Sequence, residues 1–173
     1  MSDYFKIGKI AATHGVAGQL VLEHSLGQKT ALKGLENIFI EESKDSFLPY
    51  FLTDAKIKNH TEILITLEGI SSKESARFLL KKEVWLIEED FKKFAAGAAP
   101  ISLLGYMIIS DKEEIGKVIE VIEQPHQILC KVMLGDKEAL IPIHEASLLK
   151  TDKKNRLLYV DIADGLLDLY REQ

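Results

Sequence analysis

Five histidines, at positions 14, 24, 60, 126 and 144, and a single cysteine, Cys130, have the widest chemical reach in this chain. No two histidines stand in His-x-x-x-His spacing and no glutamate-rich motif accompanies them, so no zinc signature is written here. His126 and Cys130 are four residues apart, a ligand spacing on a helix. The residues between them read as strand, where positions four apart share a face but lie about 13 Å from each other. Cys130 is therefore expected to be a small buried apolar side chain, and neither metal nor cofactor is expected. The acidic pairs Glu41-Glu42, Glu88-Glu89 and Glu113-Glu114 fall in or beside expected turns. A catalytic pair needs one carboxyl in an apolar pocket to separate the two pKa values, so these read as solvated turn charges. Phosphate-cradling glycine loops, a Gly-x-Gly-x-x-Gly run and a Gly-x-Ser-x-Gly elbow are all missing. The expectation is a binding protein, not an enzyme.

Two glycine-marked segments are better candidates for contact with a partner. In the first, Ile7-Gly8-Lys9-Ile10 leads to Thr13-His14-Gly15-Val16-Ala17-Gly18, where Gly15 and Gly18 permit a turn with positive φ. His14 there is either a partly exposed turn residue or a recognition group able to donate, accept or stack on a base. The second comprises Leu104-Gly105-Tyr106, the strand around Gly116, Gln124-Pro125-His126-Gln127 and Leu140-Ile141-Pro142. Pro142 inside an apolar run marks a strand end or an edge.

The elements that must position these segments are short strands. Apolar stretches at 4–13, 19–24, 37–42, 50–52, 57–67 and 83–87 are separated by polar turns. Ser71–Leu80 is the clearest helix, with Ser71 as N-cap, Glu74 three residues on, and Ala76, Leu79 and Leu80 on one face. Residues 92–100 are rich in small residues, have no apolar period, and read as an interdomain linker. Strands resume at 105–109, 116–123, 128–134, 138–143 and 157–162, before an apolar tail from Gly165 that should dock as a helical turn. Many short strands with few helices predict a mainly β fold of two small barrels, one over residues 1–91 and one over 101–173.

Composition agrees with that plan. The chain has 173 residues, 46% apolar and 28% charged, with net charge −5. Up to Phe94 there are 13 basic and 14 acidic residues, and beyond it 9 and 13. Neither part has the basic excess of a protein that holds nucleic acid mainly through phosphates. No window is long and apolar enough for a membrane helix, and Met1-Ser2-Asp3-Tyr4-Phe5-Lys6 lacks signal-peptide features. A lone cysteine forms no internal disulfide. A cytoplasmic protein without membrane attachment is expected, and nothing demands more than a monomer.

The ordered run Gly8-Lys9-Ile10, His14-Gly15 and Gly18 resembles the opening signature of the RimM family of ribosome maturation factors. Leu104-Gly105, Ile115-Gly116-Lys117-Val118, Leu140-Ile141-Pro142 and Asp164-Gly165-Leu166-Leu167 resemble that family's PRC-barrel domain. The resemblance implies an N-terminal six-stranded barrel, a C-terminal PRC barrel and a short linker between them. It further implies a non-catalytic chaperone of small-subunit head assembly and rRNA processing. The partners it implies are the small ribosomal subunit, its ribosomal protein nineteen and rRNA of the head. A stand-alone barrel that binds structured RNA is the alternative. His14, Gly15, Gly18, Leu104, Gly105, Tyr106, Pro125, His126, Ile141 and Pro142 are the expected contact residues, with Lys56, Lys58, Lys81 and Lys82 as candidate phosphate contacts. In one place the chain departs from the family: aromatics usual before the Leu-Gly of the second barrel are replaced here by Ala98-Ala99.

Overall fold

Alternation of inward apolar and outward polar side chains builds the first unit. In this computed structural model, which describes residues 3–172, the chain divides into two compact units, at Ser102/Leu103. Met1 and Ser2, part of the stretch read above for a signal peptide, and Gln173 lie outside the described residues. The first unit contains β1 (Tyr4–His14), β2 (Gln19–His24), β3 (Asn37–Ser43), β4 (Ser46–Ile57), β5 (Glu62–Leu67) and β6 (Glu83–Ile87). They close into a barrel in the order β1-β2-β5-β4-β3-β6, the six strands expected. Ile63, Ile65 and Leu67 of β5, Ile38 and Ile40 of β3, and Val84 and Leu86 of β6 are buried, each set at a period of two.

Closure depends on β1, which pairs with both β6 and β2 and shifts register at Lys6/Gly8 and again at Ile10/Ala12. At Gly8 the neighbouring strand passes so close that a Cβ would overlap the Glu23 carbonyl and reach within 2.9 Å of the His24 Cα. Only glycine fits there. On the other side, Tyr4 stacks on Phe47 at 4.5 Å, and Phe47 meets Trp85 edge-on at 4.9 Å.

Two short helices complete this unit. α1 (Lys73–Arg77) is shorter than the span expected and is capped one residue later, by Ser72 with Ser75 in place of Ser71 with Glu74. Ala76 and Leu79 point inward as expected, whereas Leu80 is 36% exposed. α2 (Glu88–Phe94) buries Phe91 and was not foreseen. It occupies the start of the segment read as a linker. The remainder of that segment also packs within the first unit: Ala96 N–H donates to the Leu26 carbonyl (2.8 Å), and Ala99 fills the space beside Gly27.

The second unit contains β7 (Met107–Ser110), β8 (Glu113–Lys117), β9 (Glu120–Gln124), β10 (Gln127–Leu134), β11 (Lys137–Ile143), β12 (Leu148–Asp152), β13 (Leu157–Val160) and α3 (Leu166–Arg171). The run expected as one strand over 116–123 breaks at Val118-Ile119 into β8 and β9. The strands form a four-stranded sheet, β12-β13-β7-β8, and a three-stranded sheet, β11-β10-β9. Ile119 N–H donates to Lys131 O (2.9 Å), linking the break between them to β10. Gly116 on β8 faces β10 so closely that a Cβ would stand 3.0 Å from Met133 O and Val132 Cβ. Ile108, Ile115, Cys130, Val132, Ile141 and Leu158 form the core. Burial pushes the Cys130 thiol up to about 12, in keeping with its reading as an inert core residue.

Two predictions follow from the first unit. Gly8→Ala forces a methyl into a backbone contact, and should lower unfolding free energy in urea by about 3 kcal/mol or more. The second concerns His24, which is buried and accepts the Leu26 N–H at Nδ1 (3.2 Å), leaving a buried Nε2 without a partner. Burial, then the nearby His60, hold its pKa below 6.5, so folding favours the neutral ring. The stability that His24 confers is complete above pH 6.5 and is lost as pH falls toward the depressed folded value. Urea titrations between pH 8 and 5 should show this loss, and His24→Gln should flatten that part of the curve by up to about 1.4 kcal/mol per pH unit.

Candidate partner-binding surfaces

In the first unit, the β1–β2 connection is the better-defined surface. His14 pairs with Gln19, so the intervening four residues form a tight loop, with Gly15 at φ +67 and Gly18 at φ +88. Gly18 meets a second constraint: a Cβ there would overlap the Ile70 carbonyl, just ahead of α1. The loop is thus pinned at its base while its tip is open, with Val16 81% exposed and His14 and Gly15 also exposed. His14 and Gly15 are therefore held out together, whereas Gly18, expected as a contact residue, is buried at the base of the loop and supports them through its close approach to Ile70.

In the second unit, Leu104-Gly105-Tyr106 forms a structural node. Gly105, at φ +83, donates its N–H to Val118 O (2.9 Å), and Val118 N–H donates back to Tyr106 O (2.8 Å). Arg156 completes it: its Nη2 donates to Leu104 O (2.6 Å), and its guanidinium lies 5.2 Å from the centre of the Tyr106 ring. One face of Tyr106 is thus engaged within the fold. Leu104 and Ile141 are core residues, 2% and 0% exposed, and support the surface from beneath.

Pro125 and His126 form the exposed turn of the β9–β10 hairpin, where His126 takes φ +70 and Gln127 donates to Gln124 Oε1 (2.9 Å). Pro142 lies on β11, an edge strand as expected, opposite Leu129. It lines a groove of about 290 Å³ with His144, Ser147, Asp161 and Leu166. Ser147 fixes one wall by accepting the His144 N–H (3.1 Å) and donating to the His144 carbonyl (3.2 Å).

Sequence reasoning missed β12. It is an edge strand of the four-stranded sheet and carries Leu148 and Leu149, 37% and 67% exposed. An apolar pair set in the polar run 144–156 was the available signal. Lys56, Lys58 and Lys82 each have a carboxylate partner, in Asp54, Glu62 and Glu42, whereas Lys81 is in no ion pair among the described residues.

The family model for the RimM N-terminal domain matches residues 5–91, and that for the RimM PRC barrel domain matches residues 100–166. The chain belongs to the RimM family of ribosome maturation factors. It is 32% identical to the ribosome maturation factor RimM of Parabacteroides distasonis, over 96% of this chain and 97% of that one. RimM of Phocaeicola vulgatus is 28% identical, over 95% and 97%. A solved structure from Pseudomonas aeruginosa, described as a RimM 16S ribosomal RNA processing protein, aligns over 93% of this chain and 98% of that one. At 18% identity and a TM-score of 0.44, that likeness is too loose to carry residues across. The two RimM domain matches leave residues 92–99 between them, the stretch that α2 and the Ala96 and Ala99 contacts tie to the first unit.

Proposed function

We propose that this RimM protein is a non-catalytic cytoplasmic assembly factor that acts as a monomer on the immature small ribosomal subunit. In this reading the second unit binds ribosomal protein nineteen of the head, and the β1–β2 loop of the first unit lies against nearby rRNA or protein. The observation that carries it is the exposed Leu148-Leu149 pair on β12, in a unit with nine basic and thirteen acidic residues. Solvent-exposed leucines at a sheet edge supply apolar area for a partner. The acidic excess favours encounter with a basic ribosomal protein.

The groups with shifted pKa values support binding over catalysis. Cys130 and His24 are buried structural residues. Lys131 is raised, first through its hydrogen bond to Glu120 (2.6 Å), and also faces Glu138 (3.5 Å) across its sheet. That arrangement ties β10 to β9 and β11 and holds the lysine charged. It provides neither a base nor a nucleophile at neutral pH.

Isothermal titration against purified ribosomal protein nineteen from the same organism tests the reading. The expected result is saturable one-to-one binding that weakens with salt and drops at least tenfold in Leu149→Asp. No detectable binding at low salt would contradict it and return the argument to direct recognition of structured RNA.

A further inference from the structure

Phe78 is the most exposed aromatic side chain of the first unit, at 79%. Its exposure follows from the geometry of its neighbours. Ala76 and Leu79, 0% and 3% exposed, take the inward positions, which turns Phe78 out to solvent. The backbone beneath is fixed: Leu79 N–H donates to Ala76 O (3.0 Å), Lys81 N–H to Ile10 O (2.8 Å), and Ile10 N–H to Lys82 O (2.9 Å). The ring is therefore held out by a rigid segment, and ordering it on binding costs little.

The segment that carries it, residues 71–82, is cationic in a chain of net charge −5. Lys73, Arg77 and Lys81 are exposed, and their side chains form no ion pair among the described residues. Glu74 is the only carboxylate between residues 71 and 82, and Lys82 is neutralised by Glu42 (3.6 Å). A flat exposed ring with three uncommitted cations matches a strand in which an unstacked base alternates with phosphates. Duplex RNA hides its base faces, and an acidic peptide would use the cations but leave the ring uncovered.

We propose that Phe78 stacks on an unpaired base of single-stranded RNA while Lys73, Arg77 and Lys81 contact the flanking phosphates. This rests on the rRNA-proximal role given above to the first unit, and names the contact and the form of RNA it takes.

The test is fluorescence anisotropy of the full chain with a labelled, unstructured 12-nucleotide RNA, and with the same sequence as a duplex. Phe78→Ala should weaken single-strand binding by about tenfold or more, with the salt slope unchanged and the thermal midpoint intact. Phe78→Trp should retain binding. Three phosphate contacts imply a log–log salt slope of about −2 for a single strand, and Arg77→Ala should flatten it by about 0.7. Equal binding by wild type and Phe78→Ala, or a preference for duplex, would overturn the proposal. So would a self-association, seen by sedimentation, that Phe78→Ala abolishes, because the face would then belong to a second copy. Titration of ribosomal protein nineteen in parallel separates the two readings. If that protein binds and the RNA does not, only this inference fails; the reverse outcome removes the assembly-partner reading and leaves this one.

Discussion

The close backbone approach at Gly8 is the constraint on which the first unit depends. β1 must serve both β6 and β2, and it does so by slipping register on either side of a residue that has no side chain to collide with Glu23 and His24. Closure removes the unpaired edges that an open six-stranded sheet would expose. It also places His24 in the interior, where its ring accepts from the Leu26 N–H and burial favours its neutral form. The same closed frame fixes the turn after β1, through Gly18 against Ile70, and the middle of β1, through the Ile10 backbone bonds to Lys81 and Lys82.

The second unit solves its packing differently. Its two sheets meet where Gly116 admits the β10 backbone and where Ile119 donates to Lys131. β11 and β12 each end a sheet, and Leu148 and Leu149 on β12 are exposed there. Rigid frames with small projecting turns and apolar edges suit recognition of a large assembly. Binding then draws on preformed geometry with little ordering cost.

Much of this was legible in the sequence. Period-two alternation located most strands, and glycine placement marked Gly8, Gly18, Gly105 and Gly116, each of which has a close contact or positive φ. What stayed hidden depends on tertiary context. α2 follows β6 directly and is anchored by Phe91, one aromatic against which Phe5 packs edge-on at 5.0 Å, so no periodic signal marks it. The small residues of 95–99 look like a linker because close packing beside Gly27 also demands small residues. Leu104 and Ile141 carry family-like motifs yet lie in the core, since a motif records packing as readily as contact. Phe78 was hidden for the opposite reason. The helical face read from sequence, Ala76, Leu79 and Leu80, said nothing of the aromatic between them, and only the fold shows it 79% exposed beyond the early end of α1.

In the proposed role, these surfaces dock on an unfinished small ribosomal subunit. Gradient sedimentation of cell extract at moderate salt, with the tagged chain followed by immunoblot, tests it most directly. The chain should travel with immature small subunits and be depleted from completed ribosomes. A chain that stays at the top of the gradient at every salt concentration, while immature subunits are present, would contradict it.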